Sequence, residues 1–163
     1  MAIVHVRIDY RLIHGQVATF WANYLKSTRI MVVDDETTTN DIKKAALKLA
    51  TPPGVALSIL TVDKATENFK NHKYDNQRVM MILGSIDTLK RLVNNEIEIT
   101  EVNLGNLQKD ENKKFVKPTI PLTAEEAEII MDLNEKGIEF TYQLIPSKTA
   151  EEVIPSLKRE FGL

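Results

Sequence analysis

Cysteine is absent from the 163-residue chain. Disulfides, thiolate metal sites, iron–sulfur clusters and thiol catalysis are excluded together, and the absence fits a reducing compartment. Long apolar runs are missing too: none approaches the ~20 residues of a membrane-spanning helix. Arg7, Asp9 and Arg11 interrupt the N-terminal apolar stretch, and no cleavage-site pattern follows. The expectation is a soluble cytoplasmic protein whose membrane role, if it has one, comes through a partner. Neither charge is in excess. The 21 Lys and Arg against 23 Asp and Glu leave a net charge of −2, which argues against nucleic acid as a partner and against a disordered acidic tail. With three His and no Cys, no metal site and no cofactor are expected. Low-complexity tracts, internal repeats and linkers are lacking as well, so residues 1–163 read as a single domain.

What is present alternates in period. Ala2–Ile8 is β-rich. Gln16–Lys26 switches to helical spacing, with Val17, Phe20, Trp21, Tyr24 and Leu25 on one stripe. Strands are expected at Arg29–Val33, Val55–Val62, Val79–Leu83, Ile97–Leu104 and Glu139–Ile145. Helices are expected at Asp41–Ala50, Lys64–Phe69 and Ile86–Val93, and from the capping box Thr123-Ala-Glu-Glu126 to Lys136, with Gly137 just beyond. A second capping box, Thr149-Ala-Glu-Glu152, opens the last helix, in which Pro155 either falls early enough to be tolerated or starts the helix afresh. Gly105–Lys117 is polar and reads as a loop carrying a short strand or turn. Strand–helix alternation with long connections predicts an α/β fold: a mostly parallel sheet covered by helices on both faces. Chemistry is then expected in the loops beyond the carboxyl ends of the strands.

One loop concentrates it. Between the first strand and the first helix the chain reads Arg7-Ile-Asp-Tyr-Arg-Leu-Ile-His-Gly-Gln-Val17, a segment too polar for core. Neutral imidazole is a nucleophile near neutral pH. Arg11 matches phosphate geometry. Asp9 is placed to orient His14 or pair with Arg11. Gly15 allows a tight turn, and the backbone N–H groups from His14 to Gln16 at a helix start favour an anion. These residue types together describe phosphoryl transfer through a phosphohistidine. Three alternatives remain at this point: a surface ion-pair network, a phosphate- or nucleotide-binding regulatory module without turnover, and a phosphatase with a His intermediate.

The run from Asp9 to Val17 resembles the active-site signature of enzyme IIB of the sugar phosphotransferase system, in the mannose/fructose/sorbose family. Val32-Val-Asp-Asp-Glu36, Ala50-Thr-Pro-Pro-Gly-Val55, Val102-Asn-Leu-Gly-Asn-Leu107 and Lys136-Gly-Ile-Glu139 extend the likeness along almost the whole chain. The resemblance implies a phosphocarrier. His14 takes phosphate on Nδ1 from a phosphorylated IIA and passes it to a sugar entering through the membrane IIC and IID components. It leaves the sugar and any homo-oligomer open. Four positions depart from the family pattern or vary within it. Asn106 stands where a second Gly is common, which is expected to put a side chain near the site, Asn40 and Lys43 stand where Asp and Arg are usual, and Tyr10 fills a variable position.

The remaining candidates have plainer roles. His5 is expected to be a satisfied structural residue and His72 a solvated turn residue. Asp34, Asp35 and Glu36 are expected as solvated charges capping the next helix. Phe20 and Trp21 are expected mainly as core, with some surface left for docking. Ser85 is expected as a helix N-cap and a secondary phosphate contact, and Lys109, Lys113, Lys114 and Lys117 as a solvated loop.

Overall fold

Hydrophobic alternation at the start of the chain becomes strand β1 (Ile3–Asp9), and strand and helix then alternate. The structure, a computed structural model, describes residues 2–163. The elements that follow are α1 (Val17–Leu25), β2 (Arg29–Val33), a short 3-10 helix (Glu36–Thr39), α2 (Asp41–Ala50), β3 (Ala56–Leu60), α3 (Val62–Lys70), β4 (Val79–Leu83) and α4 (Ile86–Asn94). Then come β5 (Glu101–Asn106), the hairpin β6 (Lys114–Lys117) and β7 (Ile120–Leu122), α5 (Ala124–Glu135), β8 (Glu139–Tyr142), β9 (Glu151–Glu152) and α6 (Ile154–Phe161). Among the described residues no helix is long and apolar enough to cross a membrane.

The main sheet has the order β3-β2-β4-β1-β5-β8-β9 and is parallel except for β9. Helices α1 and α2 pack on one face, where Trp21, Ala22 and Leu47 meet Ile30, Val32, Met80 and Ile82. Helices α3 to α6 cover the other face, where Ala65, Leu89, Ile130 and Leu157 meet Met31, Val33, Met81 and Leu83. This two-sided cover is why β4 is buried at every residue and reads as one apolar run. From β1 the chain leaves over the α1 face. From β5 it leaves toward the opposite face. The two loops part at adjacent carboxyl ends, and the crevice between them is the switch point of the sheet.

Several boundaries differ from the sequence expectation, each for a local reason. Strand β3 stops at Leu60 because the Thr61 hydroxyl accepts from the Lys64 N–H and starts α3. Ile97–Thr100 is not strand. These residues turn out of α4 through Glu96 at φ 66°, and Ile97 and Ile99 sink into the core. Strand β8 ends at Tyr142 because the Asn103 side chain takes both backbone groups of Gln143, each at 3.0 Å. The second capping box opens no helix. Glu151–Glu152 pairs antiparallel with β8, and α6 begins afresh with Pro155 in its first turn, where the missing N–H costs nothing. The box at Thr123 does form, with both reciprocal bonds.

The acidic cluster is also more structured than expected. Asp34 holds the 3-10 helix through the Thr37 N–H and hydroxyl. Asp35 accepts from the Val62 N–H at 2.9 Å and from Arg91 at 2.8 Å. The Val62 N–H, with Arg91 adding to it, holds the Asp35 carboxyl below the usual carboxylate range. It is Asn40 that caps α2. Of the lysines, Lys113 pairs with Glu126 and Lys117 with Glu151, so the run is only partly solvated.

Candidate functional site

Asp9 closes β1, and the pleat puts it on the same side of the strand as Arg7. Both are buried, at 0% and 1% exposure. A buried carboxylate needs partners, and Asp9 has several. Its Oδ2 accepts from Arg7 Nε and Nη2 at 3.4 and 3.3 Å, from His14 Nε2 at 2.9 Å and from Asn106 Nδ2 at 3.1 Å. Its Oδ1 accepts from the Arg11 backbone N–H at 3.0 Å. Burial lowers the proton affinity of the Arg7 guanidinium, and Asp9 opposes that fall. Arg7 also donates from Nη1 to the Gln143 carbonyl at 3.1 Å, which ties β1 to the end of β8.

The loop itself is anchored from below. Leu12 and Ile13 are buried in the core on the α1 side, contrary to the expectation that this segment is too polar for core. Their burial holds Leu12 at φ 60°, a left-handed conformation a leucine does not choose in isolation. Gly15 follows at φ 51°, so the tight turn expected there is made. Gln16 precedes α1 with no side-chain capping bond, so the first N–H groups of α1 lack a side-chain acceptor.

His14 sits above this turn with its side chain 15% exposed. Its Nε2 is engaged by Asp9, and among the described residues its Nδ1 has no hydrogen-bond partner. A carboxylate can only accept, so in the neutral ring Nε2 carries the hydrogen and Nδ1 the lone pair. Arg11 is exposed, and its guanidinium has no partner among the described residues. The structure thus brings Asp9, His14 and the Arg11 backbone together and leaves the Arg11 head exposed beside them. Ser85 caps α4, its hydroxyl taken by the Thr88 N–H and side chain. Among the described residues it makes no hydrogen bond to Asp9 or His14. Among the described residues no group of His and acidic side chains is placed to hold a metal.

The sequence reading missed Arg7 and Gly105, whereas the side chain it expected near the site from Asn106 is there, on Asp9. Between Ile8–Leu104 and Asp9–Asn106 the register of β1 on β5 shifts by one residue, and Gly105 is the extra one. A Cβ on Gly105 would overlap the Arg7 guanidinium. The glycine is therefore required for close approach, not for a positive φ. One signal was available: Arg7 and Asp9 are two apart in a strand, hence on one side. Gly105→Ala is expected to lower stability by about 1–3 kcal/mol, the usual cost of overpacking, read as a fall in the urea midpoint. An unchanged midpoint would show that Arg7 has room to move aside.

The other histidines lie apart. His5 stacks on Trp21 with ring centres 4.4 Å apart. Burial first, and then Arg7, lower its pKa to about 4. Its Nε2 is buried without a partner, so it is structural but not satisfied as expected. His72 is exposed beside Asp75 in the turn before β4, at the opposite end of the strands. Trp21 is core and donates to the Leu144 carbonyl at 2.9 Å, while Phe20 is 45% exposed.

Residues 3–161 match the family model described as "PTS system sorbose subfamily IIB component". The chain is 30% identical over 162 residues to a sorbose-specific EIIB component of Lacticaseibacillus casei, covering 99% of each. It is 37% identical over 139 residues to the mannose-specific EIIAB component of Escherichia coli K12. That match covers 85% of this chain and spans only 43% of the longer relative. Among solved structures, manxB from Thermoanaerobacter tengcongensis superposes with a TM-score of 0.90 at 29% identity, covering 98% of this chain and 96% of that one.

Proposed function

Since the chain belongs to the sorbose subfamily of phosphotransferase-system IIB components, which are sugar phosphotransferases, we propose that its phosphoryl group is carried on Nδ1 of His14. The observation that carries this is the Asp9–His14 contact. With Nε2–H held at 2.9 Å, Nδ1 is left as the nucleophile at the rim of the switch-point crevice. A lone pair on Nδ1 attacks the phosphorus of a phosphohistidine on IIA, and the donor nitrogen leaves in line. In the second displacement a sugar hydroxyl attacks the phosphorus of phospho-His14, the P–Nδ1 bond breaks with its electron pair returning to the ring, and the hydroxyl proton passes to a base at the permease. The protein supplies positioning and charge. Arg11 and the free N–H groups from His14 to Gln16 hold the transferring group. Asp9 fixes the tautomer and meets the positive charge that the ring gains on phosphorylation.

An EIIAB relative supports a IIA phosphodonor. We place the protein in the cytoplasm, at the membrane only through IIC and IID. The relatives' names span sorbose, mannose, fructose and N-acetylgalactosamine, which fits a sugar chosen at the permease. An anion-binding module without turnover has no support from these relatives. The nitrogen assignment is tested by phosphorus and proton–nitrogen NMR on the phosphorylated protein. An Nδ1 adduct is expected, with Nε2 still protonated. An Nε2 adduct would mean that the Asp9 contact breaks before transfer and that Asp9 does not set the tautomer.

A further inference from the structure

Asp9 Oδ2 is crowded while Oδ1 is not. His14 Nε2, Asn106 Nδ2 and two nitrogens of Arg7 converge on Oδ2, whereas among the described residues Oδ1 accepts only the Arg11 N–H. One carboxylate oxygen offers about two lone-pair sites. Donors on the same oxygen therefore draw on the same charge, and whatever Asn106 takes is withheld from His14. We propose that Asn106 is a positioning residue that weakens the hold of Asp9 on His14 and so keeps the phosphoryl group on His14 ready to leave. This rests on the reading that His14 is the phosphorylated residue.

The chemistry gives the sign. Nδ1 of the neutral ring donates its lone pair to phosphorus, the bond from phosphorus to the donor nitrogen breaks, and that electron pair returns to the donor. Nε2 keeps its hydrogen throughout, so the phosphorylated ring carries positive charge that the free ring does not. Asp9 stabilises that charge through Nε2–H. A stronger hold thus favours phospho-His14 over free His14 and deepens the well from which onward transfer starts. Asn106 and Arg7 limit that depth by sharing Oδ2. Arg7 is buried and tied to β8, whereas Asn106 is half-buried at the strand end. Its amide can be removed while its backbone carbonyl keeps the bond from the Tyr10 N–H at 3.0 Å.

The test is an exchange equilibrium between phospho-IIA and the full chain, with the labelled residue mapped in each case. In Asn106→Ala and in Asn106→Gly the ratio of phosphorylated to free protein is expected to rise about two- to tenfold, the range of one hydrogen bond. The Nε2–H proton of the unphosphorylated variants is expected to move downfield as the bond to Asp9 strengthens. Alanine and glycine differ in backbone freedom but both lack the amide, so agreement between them assigns the effect to the donor. Damaged packing would lower the ratio instead. A ratio unchanged or lowered in both variants, with label on His14, overturns the role of Asn106 alone. Label on another residue overturns it together with the reading beneath it.

Discussion

His14→Ala is expected to take up no phosphate from phospho-IIA while folding like the parent protein. The imidazole is partly exposed, and among the described residues its one hydrogen bond goes to Asp9. Asp9 keeps Arg7, Asn106 and the Arg11 N–H when the ring is removed. The loop stays anchored by Leu12 and Ile13. The nucleophile is thus removed without its support. His5→Gln and His72→Gln are expected to label normally. The first ring is stacked on Trp21 inside the sheet face, and the second lies at the far end of the strands from the crevice. The measurement is labelling with purified general phosphotransferase proteins and the cognate IIA, followed by mapping. Stable label on the His14 variant would place the carrier elsewhere.

Arg11→Ala is expected to slow phosphotransfer by ~10²–10³ with almost no change in melting temperature. Two observations separate the effects. The guanidinium is exposed and unpartnered among the described residues, so little folding free energy depends on it. The bond from residue 11 to Asp9 is made by its backbone N–H, which alanine keeps. What is lost is a planar donor pair able to meet the transferring group as charge develops. Arg11→Lys should recover part of the rate, since it restores charge but not the paired geometry. A large fall in melting temperature with near-normal transfer would reverse the assignment and make Arg11 a structural residue.

Arg7 shows the contrast. It is as close to Asp9 in sequence as Arg11, but it is buried and its guanidinium reaches two strands. Nothing in composition distinguishes the two arginines. The pleat does, by pointing Arg7 inward with Asp9 while Arg11 lies past the strand in a turn. Likewise, the Thr123 and Thr149 capping boxes are alike as local signals, and only the first opens a helix. The second is overridden by Pro155, which tolerates only a first turn, and by pairing of Glu151–Glu152 with β8.

The sequence by itself determined whatever depends on neighbours along the chain. It placed β2, α2 and β4 to the residue, because apolar period and end signals are local. It located Arg11, His14 and Gly15 between a strand and a helix, with Asp9 at the strand's end. The tertiary structure alone decided how these residues are partnered and aimed. Asn106 reaches Asp9 across 97 residues, Gln143 holds Arg7 across 136, and Gly105 makes room for both in a one-residue register shift. These contacts exist because β1 lies between β4 and β5, an order set by which faces the crossover helices bury. A buried carboxylate takes its partners from whatever that order brings within about 3 Å. That choice, invisible along the chain, gives His14 its hydrogen on Nε2 and its free lone pair on Nδ1.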